Sequence, residues 1–182
     1  MNKLQTGQNA TFDAVYKSTG SGSSTTSIEI ANQGSSYAFN TVSSSGSKAN
    51  IFSNGTKVYS CQQASGSSTW NCTDMTAIGL GTLGLATQFY TGKYWLPILK
   101  TYAPQAAALG ATFSTATIAG QSAQCVTYKP STSSGGEVCV TDSGVLALVK
   151  SSTNSFELQS YTGSPAASLF QLPAGATAGT IP

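Results

Sequence analysis

The stretch CQQASGSSTWNC, residues 61–72, places two cysteines on either side of a turn-forming centre. If Cys61 lies opposite Cys72 in an antiparallel pair of strands, Gly66 and Ser67 become the central residues of a two-residue turn. Glycine in the first of these positions is what a type II′ turn requires. Opposed residues in such a pair have Cα atoms about 4.5–5.5 Å apart, which is within disulfide range. The stretch therefore predicts a β-hairpin closed by a disulfide.

A second cysteine pair repeats this arrangement. If Cys125 lies opposite Cys139, the loop between them centres on residues 131–134 (STSS). An even number of cysteines in a chain rich in Ser, Thr and Gly is typical of an oxidising compartment. Free structural thiols and a metal site are the alternatives, although the C-x-x-C pairs of a zinc site are absent. We predict two disulfides, no metal, no cofactor and an exported protein.

The composition of the 182 residues excludes several classes of function. Ser and Thr account for 52 residues, whereas eight Lys and six acidic residues carry the charge, and the chain has neither His nor Arg. Because a basic nucleic-acid interface needs clustered Lys or Arg, nucleic acid is not expected as a partner. Without His, a His-dependent catalytic triad and a His-ligated metal are excluded. No sequence spacing pairs two of the acids, and we predict that the protein is not an enzyme.

The chain divides into three parts. Alternating apolar residues and tight turns predict a first β-meander over residues 11–73 and a second over residues 111–172. Residues 76–109 are densely apolar with little strand signal, and we expect two or three helices there. Residues 176–182 are expected to fray. The prediction is a single α+β domain, residues 1–182, of about eleven strands with helices inserted midway to cover one face of a curved sheet.

Four segments, in this order, resemble a known family. TFDAVY at residues 11–16 is similar to its first strand, and GQSAQC at 120–125 to the strand that follows its helices. CVTDSGVL at 139–146 is similar to its strand–turn–strand unit, and FQLPAGA at 170–176 to its closing Phe-x-Leu-Pro-x-Gly. The family is the lipoprotein-localisation-factor superfamily, the LolA and LppX/LprG type of cell-envelope lipid and lipoprotein carriers. The closest resemblance is to secreted lipoprotein-like members from actinobacteria.

This resemblance implies a strongly curved antiparallel half-barrel whose concave face is covered by the helices. An apolar cavity between sheet and helices would take acyl chains. The implied partner is a lipid or a lipoprotein acyl chain. Lys93 and Lys100, seven residues apart, indicate a membrane surface as a further partner, with solvated surface charges as the alternative. We expect a monomer in the cell envelope or outside the cell, anchored to the membrane as a lipoprotein in its native form. The Arg that holds the lid closed in the family's periplasmic carriers has no counterpart, since this chain lacks Arg.

The candidate lining of this cavity combines apolar residues of both meanders and of the middle segment. They are Ile28, Ile30, Phe39, Leu83, Phe89, Trp95, Leu99, Leu146 and Leu148. The expected function is to bind or carry a lipid, an acyl chain or another apolar ligand there. A filled core is the alternative, because a sequence does not show a void. The chain would then be a non-catalytic structural or interaction module of the envelope, with a protein or a glycan as its partner.

Overall fold

The structure, a computed structural model, describes residues 11–20, 25–78, 106, 108, 110–129 and 135–180. These residues form twelve β-strands: β1 (Phe12–Thr19), β2 (Thr25–Gln33), β3 (Ser36–Ser43), β4 (Lys48–Asn54), β5 (Val58–Gln63), β6 (Asn71–Asp74), β7 (Thr112–Ile118), β8 (Gln121–Tyr128), β9 (Gly136–Thr141), β10 (Leu146–Lys150), β11 (Ser155–Thr162) and β12 (Ala178–Thr180). All twelve belong to one sheet, in the order β12-β6-β5-β4-β3-β2-β1-β11-β10-β9-β8-β7. Neighbouring strands are antiparallel, apart from the parallel pair of β12 with β6.

Strand β1 joins the two meanders. It pairs with β2 on one side and with β11 on the other. The hydroxyl of Tyr16 donates a hydrogen bond to the carbonyl oxygen of Leu146, 3.0 Å away and two strands distant. The ring of Tyr16 also stacks on that of Phe156, with 4.4 Å between the ring centroids. Segments from opposite ends of the chain therefore meet at β1.

The pairings among β1 to β5 contain no register shift, so they assign the side chains of these strands to two faces. Side chains alternate along a strand, and directly opposed residues point the same way. The first face is the one that carries the cross-strand row Ala14, Ile30, Phe39, Ile51 and Ser60. The second face carries the row Asp13, Ala31, Ala38, Phe52 and Tyr59.

Each face contributes to its own hydrophobic core. The first core joins first-face residues of β1 and β2 to the second meander: Phe12, Ala14, Tyr16, Ile30, Ala123, Cys125, Cys139, Val145, Ala147 and Leu158. The second core lies on the second face: Ala31, Ala38, Phe52, Cys61, Cys72 and Phe170. A short 3-10 helix, Ala167–Phe170, brings Phe170 over that face. The C-terminal segment therefore covers part of the face opposite to the first core.

Both predicted disulfides are present. Cys61 lies opposite Cys72 between β5 and β6, and Cys125 lies opposite Cys139 between β8 and β9. The turn of the first hairpin differs from the prediction by one residue. The amide of Ser67 donates to the carbonyl of Ala64, and Gly66, with φ +73°, is the second central residue. A positive φ at this position is typical of a type II turn, so the central residues are Ser65 and Gly66.

The predicted α+β fold class is wrong. The described residues form one open sheet with no α-helix, and their helical structure is limited to 3-10 turns such as Thr76–Ile78 and Ala167–Phe170. The expected helices at residues 76–109 lie almost entirely outside the described residues. The predicted class depended on that segment, whereas the regular elements of the described residues are strands and 3-10 turns. No helix in the described ranges is long and apolar enough to cross a membrane.

The expectation that residues 176–182 fray is also wrong in part. Ala178, Gly179 and Thr180 pair in parallel with Cys72, Thr73 and Asp74 of β6. These three residues form a twelfth strand, where about eleven were predicted. Backbone hydrogen bonding to an open sheet edge orders this short segment, although it contains no alternating apolar pattern.

We predict that removal of either disulfide lowers the free energy of unfolding by about 3 kcal/mol, because each bridge closes a short loop in the unfolded chain. The bridged cysteines are 11 and 14 residues apart. The measurement is urea unfolding of the double variants Cys61→Ala/Cys72→Ala and Cys125→Ala/Cys139→Ala. The intact protein reduced with dithiothreitol serves as the control and should lose both contributions. Unchanged midpoints in both double variants would contradict the prediction.

Candidate functional site

Three of the predicted lining residues form one patch on the first face. Ile30 lies directly opposite Phe39, and Ile28 lies two positions from Ile30 on the same face. Ile30 is fully buried in the first core, whereas Ile28 and Phe39 are partly exposed and pack against it. The structure therefore brings these three residues together at the margin of the first core.

The other predicted lining residues divide into two groups. Leu148 is partly buried against the first core, and Leu146 is buried, with its carbonyl oxygen accepting the hydrogen bond from Tyr16. A register shift between Leu146 and Leu148 interrupts the pairing of β10 with β9. The remaining four, which come from the middle segment, lie outside the described residues: Leu83, Phe89, Trp95 and Leu99.

The first face of β1 to β5 carries no charged side chain. All the charged residues of these five strands point to the second face: Asp13, Lys17, Glu29 and Lys48. In an antiparallel sheet, charged side chains commonly lie on the face that meets solvent. Here the second core covers part of the charged face as well. The period-two spacing of the charges is visible in the sequence, but the strand registers are needed to place all four on one face.

The second face contains a carboxyl pair that sequence reasoning missed. The side-chain amide of Asn40 donates to Glu29 Oε2 over 2.7 Å. Burial, together with the nearby charge of Glu29, raises the pKa of Asp13 from 3.8 to about 6. Within the described part of the chain, Asp13 Oδ1 and Asn40 Oδ1 are buried without a hydrogen-bond partner. The two acids are sixteen positions apart in sequence, and only the pairing of β1 with β2 makes them neighbours.

The carboxyl groups of Asp13 and Glu29 meet one requirement of acid–base catalysis. A carboxyl group with a raised pKa beside a second carboxylate is the arrangement that separates acid and base roles. Catalysis also needs a substrate-sized cavity beside the two groups. A groove on the same face is lined by other residues, among them Phe52 and Tyr59, and its lining includes neither Asp13 nor Glu29.

A groove with a volume of about 420 Å³ lies on the second face. Its floor is formed by β2 to β5, and its wall is formed by the C-terminal 3-10 helix and the residues that follow it. Its lining consists of Gln33, Ser36, Phe52, Asn54, Tyr59, Ala167, Phe170, Gln171 and Leu172. The groove does not include any of the predicted lining residues, because those that are described on β2 and β3 point to the first face.

One cluster has the composition of a metal site. A ligating atom from each of Cys125, Glu137 and Cys139 lies within 4.8 Å of the other two. Both sulfur atoms, however, belong to the disulfide. Since a metal binds the thiolate form of cysteine, the oxidised cluster offers a metal only the Glu137 carboxylate.

The comparisons with known proteins add no relative: no family model and no curated protein sequence matches this chain. The resemblance to lipoprotein-localisation factors therefore depends on the four sequence segments alone. The two disulfides are compatible with an exported protein in an oxidising environment.

We predict that Asp13 makes stability depend on pH. Its pKa is raised in the folded state, so the unfolded chain loses the proton first as pH rises. The contribution of Asp13 is therefore fully present below about pH 4 and is lost as pH rises through about 6. Asp13→Asn should stabilise the fold by about 1 kcal/mol at pH 8, after allowance for solvent screening, and by much less at about pH 4.

Urea unfolding of both proteins at about pH 4 and about pH 8 measures this difference. Glu157→Gln is the matched control, because Glu157 is an exposed carboxylate on β11. This control should show little difference from the parent protein at either pH. An Asp13→Asn variant that is destabilised equally at both values would contradict the prediction.

Proposed function

We propose that the protein is a non-catalytic, exported binding protein that holds an acyl chain or another apolar ligand against the first face of its sheet. The observation that carries this proposal is the segregation of charge. Five adjacent strands present a face without a charged side chain, while all four of their charges point to the other side. A charged group on that face would have to be desolvated by an apolar ligand, at a cost of several kcal/mol.

The exposure of the patch supports the same proposal. Ile28 and Phe39 retain partial exposure next to the fully buried Ile30. Partly exposed apolar side chains at the edge of a core supply surface that a ligand can remove from water, at about 25 cal/mol per Å². The sequence adds a densely apolar segment, residues 78–99, with Lys93 as its single charged residue. We propose that this segment contributes to the same apolar site.

The proposed location follows from the disulfides and the resemblance together. Two disulfides favour an oxidising compartment, and the four family-like segments favour the cell envelope. We propose that the native protein is held at the membrane as a lipoprotein. Its partners would then be a lipid or a lipoprotein acyl chain, and it would act as a monomer.

A structural or interaction module of the envelope is the second candidate. One observation favours it: the first face is already filled at β1. The side chains of Phe12, Ala14 and Tyr16 are fully buried, and Tyr16 stacks on Phe156. If this filling extends over the whole face, no room remains for an acyl chain. The two candidates therefore differ in whether Ile28 and Phe39 contact a ligand.

We predict that the oxidised protein binds cis-parinaric acid, a fluorescent fatty acid, and that Phe39→Ala weakens this binding about tenfold or more. The reason is that burial of a phenyl side chain is worth about 1.5–3 kcal/mol. The measurement is a fluorescence titration. Val42→Ala is the matched control, since Val42 is an exposed apolar residue of the same strand on the second face. This control should bind as the parent protein does.

Phe39→Leu separates loss of binding from loss of folding, because leucine keeps an apolar side chain at this position. It should retain most of the affinity, and urea unfolding of each variant reports whether the sheet is intact. Absence of uptake by the parent protein would reject the acyl-chain proposal in favour of the interaction module. Unchanged affinity in a folded Phe39→Ala variant would reject this face as the site.

A further inference from the structure

The groove on the second face combines a polar row with an aromatic row. Gln33 lies opposite Ser36, and Ser36 lies opposite Asn54, so their side chains form a row across β2, β3 and β4. The neighbouring row on the second face, two residues further along each strand, contains the rings of Phe52 and Tyr59 side by side. Neighbouring strands are about 4.8 Å apart, which sets the spacing between the polar groups of the row.

These polar groups have hydrogen-bonding capacity to spare. In the described ranges, the side chains of Gln33, Ser36 and Gln171 and the hydroxyl of Tyr59 have no hydrogen-bond partner. Asn54 uses only its Oδ1, which accepts hydrogen bonds from the amides of Thr56 and Lys57 and from the hydroxyl of Thr56. Its Nδ2 therefore stays available as a hydrogen-bond donor.

Two parts of the site, Asn54 and the ring of Tyr59, are held in place before a ligand arrives. The three hydrogen bonds to Oδ1 fix the side chain of Asn54 over the loop that follows β4. The ring of Tyr59 packs against the buried ring of Phe52, with 5.2 Å between their centroids and an angle of 32°. Groups that are already ordered lose little conformational entropy on binding, and this favours affinity.

The charges around the groove select the class of ligand. None of the nine lining residues is charged. Asp74, which lies opposite Tyr59, forms an ion pair with Lys57 over 3.3 Å. The groove therefore offers no unpaired charge to a phosphate, a carboxylate or an ammonium group.

We infer that this groove is a binding site for a neutral saccharide. Side-chain amides and hydroxyls match the hydroxyl groups of a sugar, and the ring face of Tyr59 and the apolar side chain of Leu172 match its C–H faces. The volume of about 420 Å³ falls in the range of small-molecule sites, about 300–1,000 Å³, and suits a mono- or disaccharide. The site is separate from the apolar patch on the first face and does not depend on the acyl-chain proposal.

The test is saturation-transfer NMR followed by calorimetric titration, with the oxidised full chain and a panel of sugars. The panel contains methyl glucoside, methyl mannoside, methyl galactoside and cellobiose, with glucuronate as the charged comparison. Gln33→Ala and Gln171→Ala remove exposed amides from the groove without touching either core. Gln159→Ala, an exposed amide on β11 outside the groove, is the matched control.

We expect at least one neutral sugar to bind with a Kd of roughly millimolar or below. Each groove variant should weaken that binding about three- to tenfold, which corresponds to the loss of one hydrogen bond. Gln159→Ala and Phe39→Ala should leave it unchanged. The inference is overturned if no neutral sugar binds, if glucuronate binds as well as the neutral sugars do, or if the two groove variants bind like the parent protein.

Discussion

The pairing of β1 with both β2 and β11 is the constraint on which the rest of the structure depends. It joins the first meander to the end of the second and makes one sheet of twelve strands. Tyr16 reinforces this junction, because its ring stacks on Phe156 and its hydroxyl binds the carbonyl of Leu146. The first core forms around these contacts and contains residues of both meanders. Each disulfide, by contrast, stabilises one hairpin locally.

This junction gives the sheet two chemically different faces. The first face of β1 to β5 is uncharged and merges with the first core, and the second carries the charges, the Asp13–Glu29 pair and the groove. The C-terminal segment returns over the second face, where Phe170 completes the second core. One sheet can therefore offer an apolar ligand and a polar ligand separate sites. We therefore propose an apolar ligand for the uncharged first face and a neutral saccharide for the groove on the second face.

The sequence was informative where the structure is local. Both cysteine registers were predicted correctly, because a covalent bridge and nearby turn residues restrict each hairpin. The turn at Gly66 was misplaced by one residue, since a positive φ suits either position. Nonlocal features were missed: the β1–β11 pairing, the neighbouring carboxyls of Asp13 and Glu29, and the groove, which needs the returning C-terminal segment. The α+β class was wrong because the described residues form one sheet and 3-10 turns, whereas the prediction depended on helices in one apolar segment outside them.

The central claim is that the first face holds an apolar ligand. Native mass spectrometry of the oxidised full chain, before and after extraction with organic solvent, tests it most directly. The account predicts a stoichiometric adduct with the mass of a lipid or fatty acid, which is lost on extraction and regained on incubation with phospholipid vesicles. The contrary result is a chain that carries no adduct as purified and acquires none from the vesicles. That result would reject the first face as a lipid site and favour the structural or interaction module.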